Sequence, residues 1–166
     1  MLTIVRKRTI ITVRFRIVFL YGGFHMEVKM KELNMLMEST DALYHEAAKR
    51  LGLSDAELCI LYIIYEQGDG RAQKDFCSLT GIGKTTINTA VKNMEKNGLL
   101  KLKAIDGRSM GVYLTKEGRT LMNNTVEKLI SIENKIFDSW SKEEQNTIIR
   151  LNKDFVDKFS VLIKDL

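Results

Sequence analysis

The fold is decided by residues 68–115, GDGRAQKDFCSLTGIGKTTINTAVKNMEKNGLLKLKAIDGRSMGVYLT. A short helix is predicted over about Ala72–Leu79, followed by the turn Thr80-Gly81-Ile82-Gly83, where Gly81 is free to take a positive φ. A second helix, about Lys84–Asn97, places Ile87, Val91 and Met94 on one side at helical spacing. Its other side carries Lys84, Thr85, Thr86, Asn88, Thr89 and Lys92. Asn97-Gly98 ends it, because Gly or Asn accepts the left-handed conformation at a helix C-terminus. From Leu99 to Ile105 the pattern turns to a period of two, with Leu100 and Leu102 against Lys101 and Lys103. Asp106-Gly107 is a two-residue hairpin signal, and Met110–Leu114 supplies the returning strand.

A helix-turn-helix followed by a basic β-hairpin is a winged helix. Such a unit lays its second helix in the major groove of DNA and offers the hairpin tip to an adjacent minor groove. The run also resembles the MarR family of bacterial winged-helix transcription regulators. The resemblance is carried by the helix-turn-helix, the exit Glu95-Lys96-Asn97-Gly98-Leu99-Leu100, the tip Asp106-Gly107-Arg108, and Leu114-Thr115-x-x-Gly118. With flanking helices it covers about Glu27–Leu166. Two positions depart from the pattern: Gly83, where the family usually has Ser or Asp as a helix cap, and Ala72, where Thr or Ser is common.

Outside this unit the chain reads as helix. Glu27–Leu51 has Leu33, Leu36/Met37, Thr40, Leu43/Tyr44, Ala47 and Leu51 on one stripe, and Gly52 stops it. Ser54 and Glu57 form a capping box, with Leu53 and Leu58 at staple spacing, before the apolar run LCILYIIYE. A long helix, about Lys116–Ser139, repeats apolar residues from Leu121 to Trp140. Ser141 and Glu144 form a second capping box, opening a helix with Ile148, Leu151, Phe155, Phe159, Leu162 and Leu166 at spacings of three and four. The expected fold is mainly α with a small antiparallel β-hairpin: a winged helix-turn-helix over about 54–115, flanked by dimerisation helices over about 27–51 and 116–165. Residues 26–166 are read as a single domain. The apolar stripes of the terminal helices exceed what so small a winged unit can cover. The expectation, which the resemblance also implies, is a two-fold homodimer whose recognition helices meet successive major grooves of a palindromic operator.

Charge needs dissecting. The net charge is +5, but residues 1–25 hold five basic and no acidic groups, so the rest of the chain is neutral overall. Within that neutral body, Gly68–Arg108 holds eight basic and four acidic residues. The remainder of the body is mildly acidic and the unit that would meet phosphate is basic. Residues 1–25 form a basic extension whose apolar run is broken by Arg14 and Arg16, which does not suit a secretory signal, and Ile17–Tyr21 is too short to span a bilayer. An added arm, a membrane-surface segment and translated upstream sequence with Met26 as the start all fit. The last is preferred, because Met26 opens a charge-balanced body; an extension that is present is expected to be disordered.

No converging set of catalytic groups is evident, and an enzyme is not expected. His25 lies outside the body and His45 in an amphipathic helix; no HExxH, CxxC or nucleophile elbow occurs. Gly81-Ile82-Gly83-Lys84-Thr85 mimics the end of a phosphate loop, but the leading Gly would fall at Ser78. Cys59 and Cys77 lie outside any metal-ligand spacing and fall among apolar helix positions, as small core residues do. Redox-sensing members of the family usually carry their Cys near the start of the first helix, where this chain has none. No cofactor, metal or membrane partner is expected, and the location expected is cytoplasmic.

The polar run Lys84–Lys92 fits an ordinary solvated helix face as well as a DNA-reading one. Thr and Asn are poor helix formers there, and a solvated face favours Glu, Lys and Gln. Short hydroxyls and an amide reach base edges and phosphates. The expected DNA-contacting residues are therefore Lys84, Thr85, Thr86, Asn88, Thr89 and Lys92 on the helix, Lys101 and Lys103 on the strand, and Arg108 at the wing tip. Asp106, two residues before Arg108 across a tight turn, can hold its guanidinium in a fixed direction; the resemblance implies that this Arg enters the minor groove. It further implies a regulator, most often a repressor, loosened from DNA by a small phenolic or lipophilic effector. The competing reading is a winged-helix module for protein–protein assembly. Tyr44, Tyr62, Tyr65 and Met37 suit the core rather than an effector pocket.

Overall fold

The computed structural model describes residues 27–106 and 109–166. The order is α1 (Val28–Arg50), α2 (Asp55–Gln67), β1 (Arg71–Ala72), α3 (Gln73–Thr80), α4 (Lys84–Lys96), β2 (Leu100–Asp106), β3 (Ser109–Leu114), α5 (Lys116–Asp138) and α6 (Lys142–Leu162), closed by a 3₁₀ turn at Ile163–Asp165. The described residues fall into two units, 27–127 and 128–166, with α5 running from the first into the second. The extension 1–25 lies outside the described residues.

In the first unit, α2 is the central support. Ser54 starts it: its hydroxyl oxygen accepts the Glu57 N–H at 3.3 Å, and the Glu57 carboxylate accepts the Ser54 N–H at 2.9 Å. Every residue from Leu58 to Ile64 is buried. That all-round burial fits a helix packed by α1, α3 and α4 together. Tyr65, expected in the core, is instead exposed, while Tyr62 is buried.

The helix-turn-helix is pinned by few atoms. The Thr80 hydroxyl donates to the Phe76 carbonyl at 2.7 Å and accepts the Ile82 N–H at 3.1 Å. Gly81 ends α3 at φ +72°, its N–H reaching the Cys77 carbonyl at 2.8 Å, a left-handed value that glycine takes without strain. α4 buries Ile87, Ala90, Val91 and Met94. Burial of each large member stabilises by roughly 1.5–3 kcal/mol.

The sheet differs from the expected two-stranded hairpin. It has three strands in the order β1-β3-β2, all antiparallel. Arg71 pairs with Val112 and Ala72 with Gly111, so Ala72 belongs to a strand and not to the helix that follows. It caps α3 without a side-chain bond, and the Asp75 carboxylate accepts the Ala72 N–H at 3.1 Å instead. Half of a capping box thus survives the absent hydroxyl.

The Leu114-Thr115-x-x-Gly118 motif has a packing reason. The Thr115 hydroxyl donates to the Gly98 carbonyl at 2.6 Å and accepts the Gly118 N–H at 3.1 Å. It therefore caps α5 and clamps it to the exit of α4. A Cβ on Gly118 would stand 1.8 Å from the Leu99 carbonyl oxygen, so only glycine fits this close approach. Asp69 adds a second clamp, accepting the Leu114 N–H at 3.0 Å and pairing with Arg119.

On α1 the stripe is shifted from the expected phase. Met30, Asn34, Met37, Asp41, Tyr44 and Ala47 are half-buried and Ala48 is buried, whereas Leu33, Leu36 and Leu43 are exposed. In the second unit, Gln145 is the buried residue of α6; its amide donates to the carbonyls of Phe137 at 2.8 Å and Trp140 at 3.1 Å, tying the α5–α6 turn. The Ser141–Glu144 capping box forms as expected. Ile148, Leu151, Phe155, Phe159, Leu162 and Leu166 are all exposed within the chain.

Candidate nucleic-acid interface

The site is built on α4. Its buried stripe fixes the helix's rotation, so the opposite side is presented as a rigid surface. At 100° per residue, Thr85, Thr89 and Lys92 lie along the line opposite Ile87 and Val91, with Asn88 and Thr86 on the two flanks. Lys84, Thr85, Thr86, Thr89 and Lys92 are exposed and Asn88 is half-buried. Glu95 is the one acidic residue of the helix.

Two details bear on chemistry. Gly83 caps α4 without a side-chain bond, so the cap residue itself leaves the amides of the first turn uncovered. The Thr89 hydroxyl donates to the Thr85 carbonyl one turn back, at 2.9 Å, which commits its hydrogen and leaves its lone pairs outward.

The second group of expected residues lies on the wing. The register puts Lys101 opposite Tyr113 and Lys103 opposite Gly111, so both lysines share a sheet face with Tyr113. Both are exposed. The Lys103 ammonium sits over the Tyr113 ring, 5.2 Å from its centroid, a cation–π arrangement. The opposite face, with Leu100, Val112 and Leu114 buried, turns to the core. Gly107, Arg108 and the Asp106 side chain, the expected wing tip, lie outside the described residues. The helix group and the lysine group sit on separate elements, joined by the short exit Asn97–Leu99, where the Leu99 N–H reaches the Met94 carbonyl at 2.9 Å.

Two residues escaped the sequence reading. Lys96 stands on the same line as Thr85, Thr89 and Lys92, a spacing visible as three helical turns from Thr85, although in sequence it reads as part of the helix exit. In the sequence Tyr113 reads only as a strand residue; its place over Lys103 needs the strand register, which alternation alone does not supply. Among the described residues there is no group of three or more His, Cys, Asp or Glu that could hold a metal ion, and no helix long and apolar enough to cross a membrane.

A helix-turn-helix, a three-stranded wing and a basic, short-side-chained second helix define the winged-helix DNA-binding class. Residues 51–108 match the family model described as MarR family. The HTH-type transcriptional repressor YetL of Bacillus subtilis is 23% identical over 134 residues, spanning 79% of this chain and 76% of that protein. A MarR family regulator from Neisseria meningitidis superposes with a TM-score of 0.72 at 16% identity, over 84% of this chain and 99% of the other. A Listeria monocytogenes MarR family regulator, solved as a complex with a 26mer DNA, gives a TM-score of 0.64 at 20% identity, over 80% and 89% of the two chains. Residues 51–108 thus carry the match to the MarR family, and the fold around them is the one seen in solved MarR family regulators.

Proposed function

We propose that this regulator is a sequence-specific double-stranded DNA-binding protein of the cytoplasm that acts as a homodimer on a palindromic operator, most simply as a repressor. The observation that carries the reading is the outward side of α4: exposed hydroxyls and lysines on a helix whose rotation is locked by Ile87, Val91 and Met94. In this reading Lys84, Thr85, Thr86, Asn88, Thr89 and Lys92 meet bases and phosphates of the major groove, Lys101 and Lys103 meet phosphates, and Arg108, oriented by Asp106, enters the minor groove. The Listeria relative bound to a 26mer DNA lends support, and the repressor YetL supports the sign of regulation.

Dimerisation is supported by the apolar residues left exposed on α1 and α6 at helical spacing. A second copy placed by a two-fold axis would cover them and set the two α4 helices on successive grooves. A small lipophilic effector that binds beside the dimer helices would release the operator.

The test is a mobility shift of the full chain with DNA from upstream of its own gene, at two salt concentrations. Binding to one duplex that survives excess random competitor, and that weakens steeply with salt, is expected. A chain that binds no duplex and is captured instead by another protein would favour the assembly-module reading.

A further inference from the structure

The side chains of α4 select among base pairs by what they lack as much as by what they carry. We propose that the centre of each operator half-site, under Asn88 and Thr89, is made of A·T pairs, with guanine confined to outer positions within reach of Lys84 or Lys92. This rests on the DNA-binding reading above and extends it to the chemistry of the bases read.

In the major groove guanine shows two acceptors, N7 and O6, and is read best by the paired donors of Arg, or by Lys. α4 has no Arg, and the lysines of its reading face stand at the ends of the polar run. Between them stand Thr85, Thr86, Asn88 and Thr89. The Asn88 amide offers one donor and one acceptor, the complement of adenine N7 and N6. Thr89 is more restricted than its type suggests. Because its hydrogen goes to the Thr85 carbonyl, it cannot donate to guanine without breaking that bond. It presents lone pairs, which suit an exocyclic amine, and a methyl group, which suits the thymine methyl. One A·T pair satisfies both residues: Asn88 on the adenine and the Thr89 methyl on a thymine. Cytosine could also give its amine to Thr89. Its partner guanine would then face the Asn88 amide, whose acceptor oxygen would be left unmatched.

The experiment begins with selection of duplexes from a random pool by the full chain. Modified bases are then placed in the selected site. Uracil in place of the central thymine removes one methyl group; 7-deazaadenine in place of the central adenine removes one acceptor. The expected result is an A·T centre, with uracil weakening binding about fourfold, the worth of one buried methyl group. The deaza base should weaken it at least about fivefold. The variant Thr89→Ser keeps the hydroxyl and its bond to Thr85 but has no methyl, so it should be indifferent to the uracil exchange. Asn88→Ala should likewise be indifferent to the deaza base. Selected sites with G·C at the centre, or native protein that tolerates uracil fully, would overturn the proposal while leaving DNA binding intact. A pool that yields no common sequence would overturn both.

Discussion

Two helices of this chain use the same kinds of residue to opposite ends. α2 carries an apolar run from Leu58 to Ile64 and buries all of it. α6 carries Ile148, Leu151, Phe155 and Phe159 at helical spacing and leaves each of them exposed within the chain. The difference does not lie in hydrophobicity but in what stands around each helix. α2 has neighbours from its own chain on several sides, whereas the apolar line of α6 stays exposed within the chain. Scattered exposed leucines are ordinary; a regular line of aromatic and aliphatic side chains is the mark of a surface that another molecule covers. The winged unit thus buries its own apolar residues, and the terminal helices are where the second copy proposed above would pack.

The largest effect is expected in the core. Phe76 is fully buried on α3, and Phe76→Ala should lower unfolding free energy by about 3–5 kcal/mol in chemical denaturation. A loss under ~1 kcal/mol would show that the core is not where the burial puts it.

Next come Phe155 and Phe159, stacked on each other with ring centroids 5.7 Å apart. Within the chain they are 41% and 39% exposed, so the double change to Ala should do little to a lone subunit. It should weaken association, by about 1.5–3 kcal/mol per side chain newly buried between copies. Light scattering should find monomer, and the melting temperature should lose its dependence on protein concentration. A double variant that stays dimeric would break the contrast between the two helices.

A smaller effect is expected on the wing. Tyr113→Leu removes the ring beneath Lys103 and should weaken DNA binding by about 0.5–1 kcal/mol, with a shallower salt dependence, whereas Tyr113→Phe should bind like the native protein. Equal defects in the two variants would mean that the hydroxyl, not the ring face, matters.

The smallest concerns the start of α6. The Ser141 hydroxyl and then the Ser141 backbone N–H donate to Glu144 and hold its carboxyl below the usual carboxylate range. Its contribution to stability is therefore complete above the ordinary carboxylate pKa and fades as pH falls through the lowered one. Ser141→Ala should lower the melting temperature slightly at neutral pH and flatten this acid dependence. A steeper acid dependence in the variant would contradict the capping geometry.

Much of the fold was legible because its signals are local. The Ser54–Glu57 and Ser141–Glu144 boxes, the Asn97-Gly98 stop and the alternation of Leu100 to Lys103 each act within a few residues. What stayed hidden depends on partners distant in sequence. β1 is only Arg71 and Ala72, too short for any periodicity, and exists because Val112 and Gly111 lie beside it. The phase of α1 differs from the expected one because that helix is apolar on more than one side, and spacing cannot tell which side its own chain covers. The outward side of α4 was readable residue by residue. The commitment of the Thr89 hydrogen was not, since it depends on a side-chain rotamer.

The most direct test of the whole account is the stoichiometry of the complex with a selected palindromic duplex, measured by sedimentation. Two chains per duplex are expected, on half-sites about 34–36 Å apart centre to centre, with much weaker binding to an isolated half-site. One chain per duplex, or equal affinity for the palindrome and the half-site, would contradict it.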